Sequence, residues 1–166
     1  PGDIKVAILD KISNDDPDGA RLLLDGVDAG LSSEARAEWR RRVAWSYYIE
    51  NNDAAALAMA RTVRDGSGPW VPEGDWVVGI SAWRMGDCAT AADGFDRAAA
   101  TAINPELSAA AYYWASRSYV RCREPEKAAE KLRGAAMMDE TLYGMLAREQ
   151  LGEAMPRAGQ TPDLDA

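Results

Sequence analysis

Chemistry in this chain must come from its acids, two thiols and a basic triplet, because it contains no histidine. That removes serine–histidine pairs, histidine–carboxylate relays and imidazole metal ligands at once. Cys88 and Cys122 lie 34 residues apart, and two thiolates alone cannot close a tetrahedral metal shell. Asp139 and Glu140 adjoin, but consecutive side chains on a helix point apart and cannot flank one scissile bond. Asn14, Asp16, Asp18, Gly19 and Asp25 fall at calcium-loop offsets, yet Asn opens the loop, Asp closes it and Arg21 takes a normally apolar place. The stretch reads better as a helix start, with Asp16 as cap, Pro17 in the first helical position and Asp18 at the positive end of the dipole. Gly66-Ser67-Gly68 is no phosphate loop: no strand precedes it, no Lys follows it, and Pro69 removes a backbone donor. No catalytic, cofactor-binding or metal-ligating residue is assigned. Arg40, Arg41 and Arg42 remain as a contact for a partner or an anion, beside the plainer reading of a solvated helix face.

The elements that must position these residues are helices. Residues 3–12 put Ile4, Ala7, Ile8 and Ile12 on one face, and Leu22, Leu23 and Val27 mark a second helix reaching about residue 29. The third, from Ser32 to about residue 50, is rich in aromatics: Trp39, Trp45, Tyr47 and Tyr48. Residues 65–75 hold two Pro and three Gly, so the next helix is expected to restart only at Pro72. Beyond it, Gly79, Gly86, Ala91, Phe95 and Ala98 recur as Ser116, Arg123, Ala128, Leu132 and Ala135, each 37 residues later. Ala44, Tyr47, Ala56, Ala60 and Val63 fit the same frame about 35 residues upstream. Small residues recur where helices must touch, with a large apolar residue four places after the Ala. The expectation is an all-α chain, an α–α superhelix of tetratricopeptide-like helical hairpins, over residues 1–152. Residues 153–166, rich in Pro, Gly and Asp, read as a tail or linker.

In this frame Cys88 opens the second helix of one pair and Cys122 ends the first helix of the next. Both then sit on one edge of adjacent hairpins, within reach of a disulfide, which an oxidising compartment would form. The alternative is two small buried thiols. Trp83 and Trp114 are expected in the core rather than as platforms for sugar rings.

Charge and hydropathy narrow the partners. A net charge of −8 argues against nucleic acid, and no apolar run approaches the roughly 18 residues of a membrane span. No charged-then-apolar leader opens the sequence, so an export signal is expected to lie outside it.

One portion carries a resemblance. Residues 110–117 (AAYYWASR), 124–129 (EPEKAA), 141–147 (TLYGMLA) and Leu151-Gly152 are similar to the helical region of soluble lytic murein transglycosylases, just before their catalytic domain. The Tyr143-Gly144 element is its most specific part, and the likeness covers about residues 70–152. It implies a periplasmic superhelical scaffold serving a lysozyme-like domain that cleaves the glycan of peptidoglycan. That chemistry rests on a catalytic Glu followed by Ser, and here Glu34, Glu50, Glu149 and Glu153 precede Ala, Asn, Gln and Ala. The expected role is therefore non-catalytic, with peptidoglycan glycan or a catalytic domain outside this sequence as partner. The competing reading is a stand-alone adaptor that binds a peptide or protein in a groove between its helices.

Overall fold

The computed structural model describes residues 2–154, and among them there are nine α-helices, two short 3-10 turns and no strand. The helices are α1 (Gly2–Ser13), α2 (Pro17–Asp25), α3 (Ser33–Ile49), α4 (Asp53–Arg61), α5 (Trp70–Arg84), α6 (Cys88–Thr101), α7 (Pro105–Arg121), α8 (Pro125–Ala136) and α9 (Leu142–Ala154). The chain is all-α.

Four of the connections are one turn repeated. Asp15, Asn51, Gly86 and Arg123 all adopt positive φ, between 60° and 78°. Each donates its N–H to the carbonyl three residues back, at 3.0 to 3.1 Å. The next residue in each case, Asp16, Asn52, Asp87 or Glu124, donates to the carbonyl five residues back, at 2.9 to 3.0 Å. This double closure satisfies the last carbonyls of the first helix and reverses the chain within a few residues. The second helix then starts at once. Asp16, Asn52 and Asp87 cap it by accepting from Gly19, Ala55 and Thr90 N–H groups, while Glu124 hands over to Pro125 without a side-chain cap. Only Gly86 takes the left-handed conformation without a side-chain penalty. Four helix pairs result: α1–α2, α3–α4, α5–α6 and α7–α8.

Small residues set the distances inside the pairs. A Cβ on Gly79 would lie 2.5 Å from the Phe95 ring, and one on Gly94 would lie 2.6 Å from the Gly79 nitrogen. Thus α5 and α6 meet almost backbone to backbone. Ser116, one frame on from Gly79, reaches α8 differently, donating from its buried Oγ to the Ala128 carbonyl at 2.7 Å. Successive pairs also pack together, with α5 against α3 and α4, α7 against α6, and α9 against α7 and α8.

Three expectations need correction. The helix after residues 65–75 begins at Trp70, not at Pro72, and the preceding turn is a 3-10 turn, Thr62–Asp65. Pro69 is its cap and Pro72 stands in its first turn, where N–H groups have no intrahelical acceptor, so neither proline costs a hydrogen bond. The second helix stops at Asp25, four residues early, and Asp28–Gly30 forms a separate 3-10 turn. The tail was expected from residue 153, but α9 runs to Ala154; residues 155–166 lie outside the described residues.

Candidate functional site

The first helices of successive pairs each turn an aromatic side chain onto one shared groove. Tyr48 comes from α3, Trp76, Ile80 and Trp83 from α5, and Trp114 from α7. Phe95 of α6 and Tyr143 of α9 complete a groove of about 270 Å³. The helical spacing explains the set, because 76, 80 and 83 lie on one stripe of α5. Trp83 and Trp114 meet edge to face with ring centres 5.2 Å apart, and Trp76 meets Phe95 the same way at 5.2 Å. Tyr113 carries the aromatic contacts on to Tyr143 at 5.1 Å. Its hydroxyl accepts from the Gln150 amide at 2.7 Å.

Trp83 and Trp114 were expected in the core; both are half-buried and line the groove. Both pack against the cluster of Ala82, Ala91, Phe95 and Ala115 and are otherwise only partly covered. Helical periodicity marks an apolar stripe without saying whether another helix covers it. Tyr48, Ile80 and Tyr143 were not singled out from sequence as groove residues. The available signal was one aromatic recurring at about 35 residues, Tyr48 to Trp83, on first helices only.

Arginines bracket these rings in a repeating way. Arg84, two residues before the left-handed Gly86, stacks 3.7 Å from the Tyr48 ring centre and donates to the Tyr48 carbonyl at 2.6 Å. Arg121, two residues before the left-handed Arg123, stacks 3.4 Å from the Trp83 ring centre and donates to the Trp83 carbonyl at 3.4 Å. Each arginine therefore reaches back to the same place on the preceding pair. A guanidinium stacked on an indole or phenol ring holds that ring's orientation.

The Arg40–Arg42 triplet is built into the fold. Arg40 pairs with Asp28 at 2.7 Å, donates to the Thr62 carbonyl at 2.8 Å and reaches Asp65 at 3.3 Å. Hydrogen bonding to Asp28 leads the causes that raise its pKa. Arg42 pairs with Glu38 at 2.8 Å and lies 5.1 Å from the Trp39 ring centre. Arg41 pairs with Glu73 at 3.2 Å between the rings of Trp45 and Trp70, and burial lowers its pKa despite that carboxylate. Arg40 and Arg41 brace α3 against neighbouring elements, while Arg42 pairs within α3 and stands 5.2 Å from the Trp70 ring centre, so each of the three expected contact residues already holds a carboxylate. The carboxylates that neutralise them come from distant or helix-spaced positions, which a count of local charges misses.

Cys88 and Cys122 are joined in a disulfide with Cα atoms 5.6 Å apart. It links the first residue of α6 to the residue capping α7, at the turn edge of two successive pairs.

Two further polar groups bear on chemistry. Asp75 is 3% exposed, and burial raises its pKa although Arg64 donates to it at 2.6 Å. A raised carboxyl is the mark of a general acid only where substrate can reach it, and this one is sealed between α5 and the turn before it. Tyr47 donates to Asp18 at 2.6 Å, and Tyr119 donates to Asp96, in each case across to the preceding helix pair. Among the described residues no group of His, Cys, Asp and Glu is arranged to hold a metal ion, and no helix is long and apolar enough to cross a membrane.

The Tyr143-Gly144 element has a local cause. Thr141 Oγ1 accepts from the Gly144 N–H at 2.9 Å and donates to the Met138 carbonyl at 2.7 Å. A Cβ on Gly144 would fall 1.8 Å from that same Met138 oxygen, so only glycine lets α9 fold back this tightly.

Compared with family models, curated proteins and solved structures, the chain matches none.

Proposed function

We propose that this chain is the non-catalytic helical scaffold of a periplasmic protein of the lytic-transglycosylase kind. On this reading it is a tetratricopeptide-like superhelix that holds peptidoglycan for a lysozyme-like catalytic domain. The observation that carries it is the aromatic groove, built by the first helices of successive pairs and closed by α9. Rings of Trp and Tyr offer apolar faces on which the C–H faces of sugars rest, with the phenol and indole groups as polar handles. The segments that resemble the family fall on α7, α8 and α9, which pack together around Tyr113, Ala135 and Ala147. The disulfide supports an oxidising compartment, since such bonds are rare in the cytosol.

The test is co-sedimentation with purified, insoluble peptidoglycan sacculi. The chain is expected in the pellet, the double variant Trp83→Ala/Trp114→Ala is retained several-fold less, and no soluble anhydro-muropeptide is released. A chain found wholly in the supernatant overturns the reading.

One observation favours a second reading, a peptide-binding adaptor. The groove is lined by one aliphatic and six aromatic side chains, without a carboxylate or amide to hydrogen-bond a sugar hydroxyl. Such a lining suits apolar side chains of a peptide in a groove. Retention on sacculi that an excess of free glycan fragments does not reduce would favour it.

A further inference from the structure

We propose that the aromatic groove binds an acidic peptide segment of a partner protein, with an apolar side chain on the rings and a neighbouring carboxylate on Arg121 and Arg117. The proposal rests on the peptide reading of the groove and adds to it the charge of the partner and the place where that charge is held.

The first junction shows how a stacked arginine takes a carboxylate. Arg84 lies 3.7 Å from the Tyr48 ring centre, and its Nε and Nη2 donate to one oxygen of Asp53 at 2.9 and 2.5 Å. The ring takes the flat face of the guanidinium and the acid takes its edge, a division that its planar fork allows. Arg121 repeats the arrangement one pair later, 3.4 Å from the Trp83 ring centre and donating to the Trp83 carbonyl. Here the place of Asp53, at the start of the second helix, belongs to Cys88, whose sulfur is bonded to Cys122. Arg121 therefore has the ring and lacks the acid.

Arg117, one turn earlier on α7, lies 5.7 Å from the Trp114 ring centre. Both arginines are exposed, and neither has a carboxylate within ion-pair distance among the described residues. Most arginines of the described residues do have one, Arg36, Arg40, Arg64 and Arg97 among them. Between Glu106 and Glu124 the sequence holds no acid, although the chain carries a net charge of −8. The rings beside these two guanidiniums, Trp83 and Trp114, both line the groove. An acid about two or three residues along an extended peptide from its apolar anchor would reach them. Charge complementarity thus separates occupants. A neutral sugar leaves both cations unanswered, and Arg121 already covers one face of the Trp83 ring.

The experiment is selection of random heptapeptides displayed on phage against the immobilised full chain, then fluorescence anisotropy of the most enriched peptide. Enriched sequences are expected to carry Asp or Glu within about three residues of an aromatic or aliphatic side chain. Replacing that acid by its amide should weaken binding about tenfold, the scale of a charge-assisted hydrogen bond. Arg117→Gln/Arg121→Gln should weaken the acidic peptide to the level of the amide peptide and leave the amide peptide unchanged. Trp83→Ala/Trp114→Ala should lose both. Enrichment without acids, equal affinity of the acid and amide peptides, or acidic binding untouched by the arginine variant would each overturn the charged contact and leave the peptide groove standing. No enrichment at all would overturn both. Should the double arginine variant lose the helical circular dichroism of the wild type, Arg117→Gln alone, at an exposed position, takes its place with the same direction expected.

Discussion

The junction between α3–α4 and α5–α6 and the junction between α5–α6 and α7–α8 occupy the same place in the repeated frame but are fastened by different chemistry. At the first, Arg84 pairs with Asp53 at 2.5 Å; at the second, Cys88 is bonded to Cys122. Asp53 and Cys88 both open a second helix, two residues after the left-handed Asn51 or Gly86. The backbone turn, the stacked arginine and the aromatic ring beneath it are common to both junctions. The fastening is therefore separable from the fold. A partly exposed ion pair contributes about 0.2–1 kcal/mol, whereas closing a loop of 34 residues is worth about 3–4 kcal/mol in the chain-entropy model. The second junction is the stiffer, and it is the one that ties α7, with α8 and α9 packed on it, to the rest of the chain.

Breaking the covalent fastening has the largest expected effect. Cys88→Ser/Cys122→Ser should lose about 3–4 kcal/mol of unfolding free energy, read from denaturant titrations against the wild type under non-reducing conditions. Reductant should lower the wild type to the variant and leave the variant unmoved. Thiol titration of the denatured, unreduced protein should find none. An equal stability of the two proteins would mean the bond adds nothing to what the packing already holds.

Moving the fastening sharpens the comparison. In the frame, Cys122 stands one residue before a left-handed residue, as Met85 does before Gly86, and Cys88 corresponds to Asp53. Asp53→Cys/Met85→Cys should form a second bridge on air oxidation, detected as a mass loss of two hydrogens. The net gain is expected at about 2 kcal/mol, because the new loop closure is offset by loss of the Arg84–Asp53 pair. Failure to oxidise would show that the two junctions differ in geometry and not only in chemistry.

This equivalence was only half visible in the sequence. The 37-residue spacing that relates Gly79 to Ser116 also relates Gly86 to Arg123, and these two share a backbone conformation although their side chains have nothing in common. Spacing reports where a turn must be; composition does not, since Asp, Asn, Gly and Arg all fill it. Helix starts with a side-chain cap were readable at Asp16, because cap and proline are local signals. The start of α5 was not, because Pro and Gly in a first turn look the same on paper as Pro and Gly in a loop. The partial exposure of Trp83 and Trp114 and the pairing of the arginine triplet were hidden for a related reason. Whether Trp83 is covered, and whether Arg40 is neutralised, depends on residues brought in from elsewhere in the fold, such as Trp114 and Asp28.

At the remaining junction, between α1–α2 and α3–α4, Arg36 and Arg40 of α3 pair with Asp28 beyond α2, and at the turn edge Tyr47 donates to Asp18. Burial, with the Asp18 carboxylate adding to it, pushes the Tyr47 phenol up from 10.0 to about 12. A pKa raised in the folded state favours the protonated form there, so the contribution is complete below about pH 10 and lost as pH rises toward 12. Tyr47→Phe should cost about 1.5 kcal/mol near neutrality, a typical value for a hydrogen bond to a charged acceptor. Its urea midpoint should also fall less than that of the wild type between about pH 9 and about pH 11.5. Lysine titration is common to both proteins and cancels in the difference. Parallel curves would assign the alkaline loss to other groups, with Tyr119, also raised by burial, the first to examine by the same substitution.

The smallest expected effect belongs to the ionic fastening. Arg84→Ala removes the pair with Asp53, the stacking on Tyr48 and the bond to the Tyr48 carbonyl together, yet the cost should stay near 1 kcal/mol. The side chains of Arg84 and Asp53 are 33% and 22% exposed, so water replaces what the substitution takes away and salt screens what it leaves. Arg84→Lys separates the contributions, since an ammonium keeps the charge but loses the planar face that lies on the ring. A double-mutant cycle of Arg84→Ala with Asp53→Ala isolates the pair, and its coupling should shrink when salt is raised from about 0.01 to about 1 M, over which the Debye length falls from roughly 30 to 3 Å. Arg121 has no carboxylate within ion-pair distance among the described residues, so the matching substitution Arg121→Ala should show no such salt dependence. If both arginines respond to salt alike, stacking and charge are not divided between the junctions as the geometry divides them, and the ionic fastening is no counterpart of the disulfide.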